Sequence, residues 1–272
     1  MKSLIKKQYF IFIAVIMMFS CATNPLTGKR TPALISDDQL FPSAFAQYEE
    51  FISENTVVTG TDEAVMVSRV GFKIAEAAQK WLSSEGYPNH LDNYAWEFNL
   101  ILDETINAWC MPGGKIVFYT GILPLTQTED GLAVVMGHEI AHAILNHSQQ
   151  RMSAGLLQQL GAVGLSVGLS GVSPETQALA MAAYGVGSEL GGILPYSRAH
   201  ENEADYHGLI LMAIAGYNPD EAVPFWERMA SLSGGSIPQF LSTHPSDATR
   251  IKALRNSLPE AKRKAAAFGV QF

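Results

Sequence analysis

Three of the chain's seven histidines fall within one stretch of its 272 residues, GHEIAHAILNH, from Gly137 to His147. Two of them flank a glutamate as His138-Glu139-x-x-His142. On a helix, residues four apart share a face, so these imidazoles point the same way. They can take two corners of a zinc tetrahedron. Glu139 flanks that position without having to ligate it, and a carboxylate there can take a proton from a water activated by the metal. The plain alternative is a polar patch on an ordinary helix. The neighbours Val134, Val135, Met136, Ile140, Ala141, Ile144 and Leu145 argue against it. Bare imidazoles beside so much apolar surface are costly unless hydrogen-bonded or metallated.

A catalytic zinc needs a third protein ligand and an open fourth place. The metzincin spacing would put that ligand at position 148 with glycine at 145. This chain has Ser148 and Leu145, so that class is excluded. His147 lies five residues past His142, rotated off the ligand face. Downstream, HENEADYHG offers Glu201 and Asp205, four apart. Glu201 can be the third ligand. Asp205, one turn on, can accept the other N–H of a ligating histidine and fix its tautomer. Glu203 points elsewhere and reads as solvated. His244, in the loop sequence THP, has three readings: a surface turn residue, a transition-state hydrogen-bond donor, or a temporary fourth zinc ligand that closes the site.

These residues need elements to hold them. Ser36 with Gln39 fits a capping box for a helix to about Asn55. Thr61 or Asp62 can cap a second helix through Ser83, with Val65, Val67, Val70, Ile74 and Trp81 in its apolar stripe. The period then falls to two. Tyr94, Trp96, Phe98 and Leu100 alternate with Ala95, Glu97 and Asn99 as a strand. TINAWCM and KIVFYTG follow as two more strands about a PGG turn. The HExxH helix is expected over 130–151, with Glu129 and Asp130 near its positive end. Met152–Pro174 carries no charge and is long enough to raise a membrane reading, but its five glycines and two glutamines favour a buried or lid-like helical pair. Further helices are expected over 199–215, 219–232 and 247–257.

The chain carries a formal charge of −8, and removing the first twenty residues, with three lysines and no acid, takes it to −11. Such acidity excludes nucleic acid as a partner, because no basic field can neutralise phosphates. Lys2, Lys6 and Lys7 precede the apolar run Tyr9–Phe19, so residues 1–20 read as a signal peptide. The run ends MFSC, like a bacterial lipoprotein cleavage box, and Cys21 is the expected lipidation site. Residues 21–35, with two prolines and a glycine between Ala22 and Ile35, read as a tether. Cys110 is then a lone thiol, expected to be a small buried hydrophobe.

The stretches GHEIAHAILNHSQQRMS, SRAHENEADYHGLILMAIAGYNP and STHPSDATRI, in that order, resemble the M48 family of zinc endopeptidases. INAWCMPGGKIVFYTGIL resembles the family's upstream strand pair, and NPLTGKR after Cys21 resembles its lipoprotein branch. The likeness spans most of the chain from Asn24. It implies an α+β, mainly helical, gluzincin-type zincin over 36–272, with a small antiparallel sheet at the cleft and 152–195 as a lid. It implies one zinc per chain on His138, His142 and Glu201, with Glu139 as the base. The family signature maps onto Glu201, Ala204 and Asp205. Substrates would be polypeptides, extended along a strand edge at Asn107, Ala108 and Trp109 through main-chain hydrogen bonds. A rival reading is an envelope assembly factor or chaperone with a latent or structural zinc; Glu139, which a structural site does not need, favours hydrolysis. The expected location is the bacterial envelope, lipid-anchored. Ala22 after Cys21, in place of a retaining aspartate, favours the outer membrane facing the periplasm.

Overall fold

The computed structural model describes residues 21–188, 194–232, 238–244 and 248–272; the expected leader, 1–20, lies outside them. Helix α1, Asp37–Glu54, begins at the expected cap, where the Ser36 amide donates to Gln39 Oε1 at 3.2 Å. Helix α2, Asp62–Ser84, is capped by Thr61, whose hydroxyl accepts the Ala64 N–H at 3.2 Å. Its stripe of Val67, Val70, Ile74, Ala78 and Trp81 is buried.

Strands β3 (Val57–Val58), β4 (Glu97–Ile101), β5 (Ala108–Met111) and β6 (Lys115–Tyr119) form one sheet in the order β3-β4-β6-β5. The β5–β6 hairpin turns through Gly113 and Gly114 at φ 82° and 91°, which the missing Cβ permits. The small sheet expected to be antiparallel is so in two of its three pairings, β3–β4 and β5–β6, while β4 and β6 run parallel. Burial accounts for this. Ile116, Val117 and Phe118 of β6 are fully buried, so β6 takes the interior position. The half-buried β5 is left at the edge, beside the HExxH helix.

That helix is α4, Glu129–Ile144, preceded by the short α3, Leu123–Thr126. Every residue of α4 from Gly131 to Ala141 is buried, as in a helix packed on all sides. It ends earlier than expected. Asn146 adopts the left-handed conformation, φ 57° and ψ 34°, which asparagine tolerates better than most residues. The chain then restarts as α5, His147–Gly168. Helix α6, Pro174–Ser188, folds back on α5, with Tyr184 donating to the Gln158 carbonyl at 3.1 Å. The pair is not a buried one: Leu160, Val163 and Val167 stand exposed. Residues 189–193 of the expected lid lie outside the described residues. No helix among the described residues is long and apolar enough to cross a membrane.

Helix α7, Leu194–Ile214, carries Glu201 and Asp205, followed by α8 (Ala222–Ser231), α9 (Gln239–Thr243) and α10 (Ala248–Ala267). The chain from 21 to 35 is more than a tether. Strands β1 (Cys21–Thr23) and β2 (Arg30–Pro32) pair as a hairpin. Asn24 is buried, its Nδ2 3.5 Å from the Ile144 carbonyl at the end of α4, and the Leu34 amide donates to Ser153 Oγ on α5 at 3.0 Å. Cys21 is exposed at the start of β1.

Two glycines set how α4 and α7 meet. A Cβ on Gly137 would lie 2.6 Å from the Gly208 carbonyl oxygen, and one on Gly208 would lie 2.7 Å from the backbone of Gly137 and His138. The two backbones therefore touch, and no larger residue fits between them. Gly208→Ala should destabilise the protein by about 1–3 kcal/mol through overpacking, measured by denaturant unfolding. Gly164→Ala in α5, where a new Cβ meets nothing within 4 Å, should be neutral or stabilising.

Candidate metal centre

The contact at Gly137 and Gly208 lays α7 across α4 and brings Glu201 to the two histidines. His138 Nε2 lies 3.0 Å from His142 Nε2, 3.4 Å from Glu201 Oε2 and 3.1 Å from His244 Nδ1. His142 Nε2 is 3.4 Å from Glu201 Oε1, and His244 Nδ1 is 3.0 Å from Glu201 Oε2. One ligand atom from each of the four residues lies within 4.8 Å of all the others. A tetrahedral ion with bonds of about 2.0–2.1 Å has ligand–ligand edges of about 3.3 Å. The four side chains therefore fit a zinc-sized cation, with three imidazole nitrogens and one carboxylate.

Charge supports the same fit. Glu139, Glu201 and Asp205 bring three carboxylates to a buried place, against the single guanidinium of Arg250. The surplus of two negative charges is what a divalent ion cancels. Burial works against charge on His138, yet its hydrogen bonds with Asp205 and Glu201 outweigh that and raise its pKa to about 9. A field that favours a proton this strongly also favours a metal cation. Burial likewise opposes the Glu201 carboxylate, but hydrogen bonds from His138, His142 and His244 hold its pKa well below the usual range.

Asp205 Oδ1 lies 3.0 Å from His138 Nδ1. A proton on Nδ1, donated to Asp205, leaves Nε2 free to ligate. Arg250 in turn holds Asp205: its Nε donates to Oδ2 and its Nη2 donates to Oδ1 at 2.7 Å. It also donates through Nη1 to the His244 carbonyl at 3.2 Å, and its guanidinium lies 3.6 Å over the Trp226 ring. Arg250 lies in the STHPSDATRI stretch, but its residue type there does not by itself announce the contact to Asp205.

Glu139 is 2% exposed, and burial drives its pKa up. Its Oε1 has no hydrogen-bond partner among the described residues; His244 Nε2 stands 3.5 Å away. His244 is therefore no surface turn residue, since one ring nitrogen faces the ligands and the other faces Glu139. Asn107 and Ala108 are buried at the start of the edge strand, Trp109 is half-buried, and Cys110 lies close enough to Glu139 to feel its charge. Burial first, and Glu139 second, push the Cys110 thiol well above its ordinary pKa, so it stays protonated and unreactive. A narrow cleft beside His142 is lined by Leu40, Phe41, Cys110, Met111 and Gln149. Glu203, expected to be solvated, is instead bonded to His147 and Lys29.

This fold and donor set are of the zincin-like kind. The chain belongs to peptidase family M48, whose model matches residues 72–258. It is 39% identical over 176 residues to the mitochondrial metalloendopeptidase OMA1 of Schizosaccharomyces pombe, covering 64% of this chain and 50% of that protein. The Saccharomyces cerevisiae protein of the same name is 35% identical over 209 residues, 73% of this chain and 56% of its own length. The beta-barrel assembly-enhancing protease of Yersinia pestis is 29% identical over 175 residues, 61% of this chain and 35% of its own. The chain thus spans about half the length, or less, of these curated relatives. The expected location at a bacterial outer membrane is corrected by this comparison, because the relatives at 35–39% identity carry mitochondrial names. That expectation rested on residues 1–22 and the NPLTGKR stretch.

Arg250 is 3% exposed and Asp205 is 8% exposed, so removing one strands the other's charge. Arg250→Ala should cost about 3–5 kcal/mol in denaturant unfolding. Arg250→Lys should recover little of it, since an ammonium cannot make the paired contacts to Asp205 or the flat contact to Trp226.

Proposed function

We propose that the chain is a zinc-dependent endopeptidase, with His138, His142 and Glu201 holding the metal and Glu139 as the base. The observation that carries this reading is the buried Glu139 oxygen without a hydrogen-bond partner beside four converging donors. A carboxylate kept dry and unsatisfied next to a ligand set is costly unless it handles protons. When bound, zinc supplies a Lewis acid that polarises the scissile carbonyl and lowers the pKa of water. Glu139 takes the proton of the attacking water and delivers it to the leaving amine nitrogen. Burial raises its pKa, which makes the carboxylate a better base for the first transfer. The substrate backbone would lie along β5 at Asn107, Ala108 and Trp109, whose edge position leaves main-chain groups for an extended peptide. The metalloendopeptidase names of the relatives support this class of reaction.

A second reading has a specific observation behind it. His244 Nδ1 stands at the fourth corner of the ligand set, so water would have to displace it. We read this as a closed, latent form of the peptidase. It also suits an assembly factor whose hydrolysis is held in reserve, and the name of the Yersinia pestis relative supports that variant.

Elemental analysis of purified protein should find one zinc per chain. Glu201→Ala should lose it, and Glu139→Gln should keep it while losing nearly all peptide hydrolysis; an active Glu139→Gln enzyme would remove the base from the mechanism. His244→Ala should cleave peptides, or itself, faster than the parent. If kcat instead falls about a hundredfold, the scale for losing one transition-state donor, His244 stabilises the transition state and does not plug the site.

A further inference from the structure

Each ligating histidine presents one ring nitrogen to the ligand set and has a second to satisfy. For His138 that partner is Asp205. For His142 it is another histidine. His147 Nδ1 lies 2.9 Å from His142 Nδ1, and His147 Nε2 lies 3.3 Å from Glu203 Oε2. Lys29, reaching in from the β1–β2 hairpin, pairs with the other oxygen of Glu203. We propose that His147 and Glu203, completed by Lys29 of the N-terminal hairpin, form a positioning relay that fixes the ring and tautomer of His142 for metal binding. The proposal rests on His142 being a ligand, as read above.

With a neutral imidazole at His147, the hydrogen bonds admit one placement of protons. Glu203 as a carboxylate can only accept, so His147 carries its proton on Nε2. Its Nδ1 is then an acceptor, and the atom it faces, His142 Nδ1, must be the donor. A neutral His142 with its proton on Nδ1 has a bare Nε2, the atom that faces His138 and Glu201. The opposite tautomer would place a proton on Nε2 and block a metal there. The relay therefore selects the binding tautomer for His142, as Asp205 does for His138. Its geometry is held tightly. The His147 ring is 1% exposed at its side chain and stacks on His200, with centroids 4.2 Å apart and planes 15° from parallel. The left-handed Asn146 makes this possible, because only the break between α4 and α5 swings His147 back under His142.

The members should differ in weight. The Lys29 side chain is 62% exposed, so water and salt screen its charge, whereas His147 and Glu203 are largely enclosed.

Zinc affinity of the full chain, measured by competition with a chromophoric chelator, tests the relay without reference to hydrolysis. His147→Phe keeps a flat ring but removes the acceptor, and should weaken zinc binding by about 10–100-fold, the usual scale for losing an outer partner of a ligating histidine. His147→Gln restores an acceptor oxygen and should recover most of the affinity. Glu203→Ala, at a partly open position that is easier to alter without unfolding, should weaken binding by about tenfold. Lys29→Ala should change it by less than about threefold. Thermal unfolding of the metal-free proteins checks that each variant is folded. Parental zinc affinity in folded His147→Phe or Glu203→Ala would overturn the relay, as would equal losses in His147→Phe and His147→Gln. If the parent chain itself binds no zinc, the ligand assignment fails, and that outcome is distinct from failure of the relay alone.

Discussion

The site exists because two helix backbones touch. Glu201 and the HExxH histidines are about sixty residues apart in the chain, and only the crossing of α4 and α7 brings them together. At Gly137 and Gly208 the helices approach so closely that a single Cβ would strike backbone. Ridge-and-groove packing normally keeps helix axes about 8–10 Å apart, set by the side chains between them. With no side chain at the crossing, Glu201 reaches both imidazoles at 3.4 Å. The burial of α4 follows from the same contact. α7 covers one side, α2 and the sheet pack elsewhere, and a helix hydrophobic on nearly every face can be held in no other way.

Burying so much charge has a cost that the surroundings offset in layers. Carboxylates at Glu139, Glu201 and Asp205 would be intolerable in a dry core without cations. Arg250 supplies one and spends its donors on Asp205 and the His244 carbonyl, with Trp226 covering its face. One guanidinium thus orients the partner of a metal ligand and the backbone of the loop that reaches the fourth corner.

The N-terminal hairpin extends the same logic outward. Asn24 meets the Ile144 carbonyl at the end of α4, Leu34 is tied to α5, and Lys29 reaches Glu203. A segment that composition marks as a connector is therefore part of the wall behind His142.

Local rules were enough for much of this protein. The spacing of His138, Glu139 and His142 on a helix, the Glu201–Asp205 pair one turn apart, and the caps at Ser36 and Thr61 all depend on neighbours within about one helical turn. Those features are legible in the amino-acid order, and the resemblance to the peptidase family rests in part on the first two. The rest depends on contacts between distant residues. Nothing near Arg250 announces that it will meet Asp205. The parallel pairing of β4 and β6 was settled by which strand was apolar enough for the interior, a competition among strands that no single strand records. Helical periodicity carried α4 on past Asn146, because an isolated asparagine is only a weak stop. The left-handed turn there is what turned His147 from a residue off the ligand face into the partner of His142. Sequence alone determined the chemistry that these residue types can perform. Tertiary packing decided which oxygen faces which nitrogen, because helix crossings and strand order are set by the summed burial of the whole core and not by any one stretch of it.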